Sequence, residues 1–106
     1  DPDNYWSFYL LGDTYTTLGR YDEAVIELNR AFRLDPENYY GLIAMARLYS
    51  LRGETEEAIQ YLIRAVDNGY GDYDYVSGSS DLENVREDPR IETILDRLKD
   101  GTGNVR

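Results

Sequence analysis

The chain has no cysteine and no histidine among its 106 residues. Without cysteine there is no disulfide scaffold, no thiol nucleophile and no thiolate metal site, and redox chemistry says nothing about compartment. Without histidine the usual zinc ligands, the Ser-His triad and the near-neutral imidazole base are missing as well. Catalysis would have to rest on carboxylates, Lys, Tyr or an oxygen-held metal. Basic residues are few: 11 Lys and Arg stand against 21 Asp and Glu, for a net charge of -10. Such a surface repels phosphate backbones and anionic membranes, which argues against nucleic acid as a partner. No run of about eighteen apolar residues appears, nor an initiating Met with a basic and apolar leader, so neither membrane insertion nor a signal peptide is legible. The length fits one domain, residues 1–106. A compact chain of this size buries roughly 65% of its unfolded surface, a share that a solenoid shape lowers.

What the chain does have is a repeat. Shifted by 34 residues against itself, residues 1–34 fall on 35–68 with eleven identities: Asp1/Asp35, Pro2/Pro36, Asn4/Asn38, Tyr5/Tyr39, Tyr15/Tyr49, Gly19/Gly53, Glu23/Glu57, Ala24/Ala58, Leu28/Leu62, Arg30/Arg64 and Ala31/Ala65. Apolar pairs with apolar at Phe8/Leu42, Leu11/Met45, Val25/Ile59 and Phe32/Val66. A unit of this length cannot bury its apolar face alone, so it stacks on neighbours into a solenoid. Asp1-Pro2-Asp3-Asn4 matches the inter-repeat linker Asp35-Pro36-Glu37-Asn38, which leads us to expect another repeat, or a removed leader, ahead of Asp1.

Within each repeat the apolar spacing is helical. From Tyr5, the residues Phe8, Leu11, Gly12, Tyr15 and Leu18 recur every three or four positions, with Asn4 as the expected N-cap. Gly19-Arg20 breaks this helix, and Tyr21, Ala24, Val25, Leu28, Ala31 and Phe32 start a second, with Asp22 and Glu23 in its first turn where the helix dipole favours anions. Residues 39–52 and 55–68 repeat the pair. The fold class is therefore all-α, two antiparallel helical hairpins. Six of the 11 tyrosines, Tyr5, Tyr15, Tyr21, Tyr39, Tyr49 and Tyr61, fall at packing positions and are expected in the core.

These residues resemble the tetratricopeptide repeat family. Gly12 and Ala46 match the small residue between paired helices, Gly19 and Gly53 the turn glycine, Ala24, Ala58, Ala31 and Ala65 the second-helix alanines, and Pro36 the terminal proline. Phe8 and Leu42 stand where the consensus has Trp, Thr55 replaces the turn aromatic, and Tyr70 replaces a second proline. The likeness covers residues 1–68. Residues 69–88 read as a loop and short turn opened by Gly69, which caps the preceding helix. The stretch from Ser80 to Ile91 is similar to a C-terminal element of bacterial tetratricopeptide proteins. Asp88 is the expected N-cap and Pro89 the first turn of a capping helix over 89–99, whose Ile91, Ile94, Leu95 and Leu98 would cover the second hairpin. Residues 100–106 are a tail.

The resemblance implies that the first helix of each hairpin lines a concave groove. The stripe beside the core face is Trp6, Tyr9, Asp13 and Thr16, repeated as Tyr40, Ile43, Arg47 and Ser50. Its aromatics offer contact area at low entropic cost, and Asp13 and Arg47 could orient a peptide. Trp6 and Tyr40 can alternatively pack on neighbouring helices. Chaperone-binding members of the family hold a terminal carboxylate with Lys, Asn and Arg here, whereas this chain has Tyr9, Asp13 and Ile43 at matching positions and only Arg47 is cationic. That clamp is absent, and no preference for acidic C-terminal peptides is expected.

Other chemistry is weaker. Asp72, Asp74 and Glu83 have EF-hand spacing, but Val76 replaces an oxygen ligand and Ser77 the turn glycine, so they read as a solvated loop. The acidic pairs Asp22/Glu23, Glu56/Glu57 and Glu87/Asp88 sit at helix starts or in loops, and no spacing identifies a catalytic dyad. Gly69-x-Gly71 is too short for a phosphate loop. The sequence thus predicts a noncatalytic module, without metal or cofactor, that binds a protein or peptide. The alternative is the capped end of a longer array that supplies spacing or self-association.

Overall fold

A computed structural model of the chain describes residues 2–100, with side chains from Asn4 onward. Asp1 and the expected tail after position 100 lie outside the described residues. The elements are α1 (Pro2–Thr17), α2 (Tyr21–Leu34), α3 (Tyr39–Leu51), α4 (Thr55–Asp67), α5 (Tyr73–Gly78), a 3-10 turn (Ser80–Leu82), α6 (Glu83–Arg86) and α7 (Ile91–Asp100).

Both hairpin turns are made the same way. Gly19 has φ of 77° and Gly53 of 80°, left-handed values that glycine adopts without a Cβ penalty. The Arg20 amide then donates to the Tyr15 carbonyl at 2.9 Å, and the Glu54 amide to the Tyr49 carbonyl at 2.8 Å, closing a six-residue loop at each helix end. Between α1 and α2 the approach is closest at Gly12. A Cβ there would stand 2.6 Å from the Leu28 side chain and 3.2 Å from its backbone nitrogen. The small residue is thus what lets the two helices pack.

Helix α3 is the centre of the molecule, buried on most sides from Gly41 to Ala46. On one side Ala44, Met45 and Leu48 pack with Ala24 and Leu28. On the other, Leu42 and Ala46 join Ala58, Ile59, Leu62, Ala65 and Val66, and this cluster continues into Val76, Leu82, Val85, Ile91, Ile94 and Leu98. The chain after the second hairpin therefore covers its apolar face. All six tyrosines assigned to packing positions touch the core, with Tyr5 buried and the others partly so. The Tyr5 hydroxyl faces the Gly41 backbone without hydrogen-bond geometry, and burial, partly offset by that backbone, pushes it up to about 12.

Three local expectations change. Helix α1 already runs from Pro2, so Asn4 lies inside it and is no N-cap, whereas Asn38 does cap α3 by accepting from the Tyr40 amide at 3.0 Å. The stretch 69–88 is not simply a loop but forms α5, the 3-10 turn and α6. Arg86 staples these pieces by donating to the carbonyls of Ser79 at 2.6 Å and Val76 at 3.2 Å. The closing helix runs from Ile91 rather than from Pro89, although Asp88 does accept from the Arg90 amide at 2.9 Å as the expected cap would, over the turn that leads into it. The radius of gyration is 13.1 Å, near that of a compact domain of this length.

The closing helix is fastened at its start by Arg90, which pairs with Asp88 and Glu56 at 2.8 Å each, and further along by Arg97 with Asp67 at 2.8 Å. The Arg90 side chain and amide hold the Asp88 carboxyl down from its ordinary 3.8 to about 2. A lowered folded-state pKa stabilises above the unfolded value and is lost as pH falls through the folded one. Acid unfolding curves of Asp88→Asn should accordingly be flatter than those of the parent between about 3.8 and 2. Thermal midpoints that fall in parallel for both proteins would refute this.

Candidate binding groove

The predicted stripe divides into two parts. Trp6, Tyr9, Asp13, Tyr40, Ile43 and Arg47 lie together on one side of α1 and α3, where Trp6 and Tyr40 are 42% and 46% exposed. Thr16 and Ser50 do not belong to it. Both are buried, with the Thr16 hydroxyl donating to the Gly12 carbonyl at 2.9 Å and the Ser50 carbonyl accepting from Asn84 at 2.8 Å. They lie farther along their helices, where neighbouring segments cover them, as Asn84 of α6 does Ser50.

The rings form a connected bank. Trp6 lies edge-on to Tyr9 and Tyr40 at 5.6 Å, Tyr9 meets Tyr40 at 6.3 Å, and Tyr39 links Tyr40 at 4.9 Å to Tyr70 at 5.8 Å. Edge-to-face geometry sets positive ring edges on negative faces, so the bank holds its own shape.

Arg47 is the polar centre. Its Nη1 donates to Asp13 Oδ1 at 2.9 Å, its Nε to Asp81 Oδ2 at 2.9 Å and its Nη2 to Thr17 Oγ1 at 2.9 Å. These bonds tie α1, α3 and the C-terminal 3-10 turn together. Tyr75 adds a fourth element, its hydroxyl donating to Asp81 Oδ2 at 3.3 Å. Burial works against the Arg47 charge, but the Asp81 hydrogen bond and the charges of Asp13 and Asp81 outweigh it and raise its pKa. The phenols of Tyr9, Tyr70 and Tyr75 are all pushed up, chiefly by burial and then by the carboxylates of Asp13, Asp72 and Asp81 respectively, so they stay neutral.

These residues enclose an open pocket of about 320 Å³, lined by Tyr9, Asp13, Tyr40, Ile43 and Arg47 and by five residues the sequence reading did not assign, Ala44, Tyr70, Asp72, Tyr75 and Asp81. A signal for one of them was present. Asp13, Arg47 and Asp81 are spaced 34 apart, as are Ser50 and Asn84, and Glu56 and Arg90. Although the identities end near Asn68, the contacts keep the repeat spacing into the C-terminal segment. The acids with EF-hand spacing serve helix starts instead: Asp72 accepts from the Tyr75 amide at 3.0 Å, and Asp74 and Glu83 sit in first turns.

Stacked antiparallel hairpins with an open groove on their first helices define an all-helical repeat domain. Two family models described as tetratricopeptide repeat match residues 7–38 and 42–72. The chain belongs to the tetratricopeptide repeat family. No curated protein and no solved structure matches it significantly. Domains of this family are typically protein–protein interaction modules, usually noncatalytic, and no catalytic family matches. Among the described residues no helix is long and apolar enough to cross a membrane.

Proposed function

We propose that this domain is a noncatalytic module that binds a segment of a partner protein in the groove beside Trp6, Tyr9, Tyr40, Ile43 and Arg47. The observation that carries this reading is a bank of aromatic rings left accessible next to an open pocket, the kind of surface on which a few anchors supply most of the binding energy. Asp13 and Arg47 are bonded to each other, so they shape the groove wall and contribute little to free hydrogen-bonding capacity.

A second reading, the capped end of a longer array or a self-associating unit, draws on exposed leucines on and just after α1. Leu11 is 43% exposed while its repeat equivalent Met45 is 1%, and Leu10 and Leu18 are exposed beside it. In the second repeat that face is covered by the hairpin before it.

One experiment separates the two. A peptide selected on the intact chain from a display library is titrated against Trp6→Ala/Tyr40→Ala. Two lost anchors should weaken binding by at least about 30-fold while helical content and oligomeric mass stay the same. Unaltered affinity would sink the groove reading, and a mass above that of the monomer that Leu11→Asp lowers would favour the second.

A further inference from the structure

The groove reading leaves its ligand chemistry open, and the pocket is specific on this point. We propose, building on that reading, that the pocket receives a basic side chain, lysine or arginine, from the segment lying in the groove.

The lining supplies three things a cation needs. Rings of Tyr9, Tyr40 and Tyr70 stand around the opening, and aromatic faces attract cations through the ring quadrupole. Asp13, Asp72 and Asp81 are set against the single guanidinium of Arg47, which leaves a net formal charge of two negatives in the lining. Arg47 does not offer its charge to the cavity, since each of its three nitrogens donates to an acceptor in the wall and its side chain is only 16% exposed. A carboxylate entering the pocket would instead meet a lining that is negative on balance.

Size and long-range field agree. A volume of about 320 Å³ lies at the lower end of small-ligand sites and gives room for one long side chain with some of its water. The net charge of -10 draws basic segments toward the domain as a whole, and the pocket gives that attraction a place to become specific. Asp72 stands at the mouth on the N-cap of α5, where asparagine can replace its capping oxygen without its charge.

The test is an amide-resolved NMR titration of the intact chain with N-acetyl-lysine-N′-methylamide and its arginine counterpart, beside the neutral norleucine analogue. The basic probes are expected to shift amides around Tyr40, Tyr70 and Asp72 saturably, with norleucine giving no such shifts. Asp72→Asn and, separately, Tyr40→Leu should each weaken the basic probes by about 3- to 10-fold with the rest of the spectrum preserved. Equal shifts from norleucine would overturn the cation assignment and leave the groove reading standing. Shifts scattered over the acidic surface and unaffected by Asp72→Asn, or no shifts from either basic probe, would also overturn it. The groove reading itself is judged separately by the selected peptide, so the two failures are distinguishable.

Discussion

Leu62→Ala is expected to cost about 2–5 kcal/mol of unfolding free energy, the range for a fully buried leucine truncated in a core that cannot collapse around the gap. Leu62 is 0% exposed and belongs to the cluster shared by α3, α4 and the C-terminal helices. It thus supports two layers at once, the second hairpin and its cover. A domain of 106 residues has about 5–15 kcal/mol in total, so this one change would remove a large share of it. Urea titration followed by circular dichroism reads the effect as a lower midpoint at an unchanged slope. A loss below about 1 kcal/mol would mean that this cluster is not the packed core described.

Arg47→Ala should have the next largest effect, about 1–3 kcal/mol, for the loss of several charge-assisted hydrogen bonds at a half-buried position. Removal leaves Asp13 and Asp81 as like charges on either side of an empty space, although both are 30–40% exposed and water can reach them, which keeps the cost below that of a sealed ion pair. The damage should be local. Because Arg47 and Tyr75 together hold Asp81, hydrogen exchange is expected to accelerate across residues 73–86 before it does so in α1 or α2. A double-mutant cycle with Asp81→Asn should return a coupling of at least about 0.5 kcal/mol. Additive effects, or uniform loss of protection, would show that Arg47 does not fasten the C-terminal segment.

The repeated hairpins were legible because their causes are local and occur twice. Helical spacing of apolar residues, small residues at Gly12 and Ala46, and turn glycines at Gly19 and Gly53 each leave a mark in the chain, and duplication at 34 residues separates that mark from coincidence. The C-terminal helices α5 and α6 left none. Six and four residues are too few for a periodic pattern, and the Asp, Ser and Gly of α5 point to loop. They are helical because Val76, Leu82 and Val85 are buried against the second hairpin, a driving force supplied from outside the segment.

The groove shows the same division. Trp6, Tyr9, Tyr40 and Arg47 could be placed on one side of their helices by counting residues, since a helix fixes directions over a few turns. Counting failed at Thr16 and Ser50, where neighbouring elements decide what is covered. By itself the sequence determined an all-helical repeat domain, the two hairpins, their turns and a strongly acidic composition. Only the tertiary structure decided that Tyr70, Asp72, Tyr75 and Asp81 close one side of the pocket and that Arg47 is spent on its wall. Those facts rest on contacts between residues 30 to 34 positions apart, whose geometry is set by how the C-terminal segment folds back over α3 and α4.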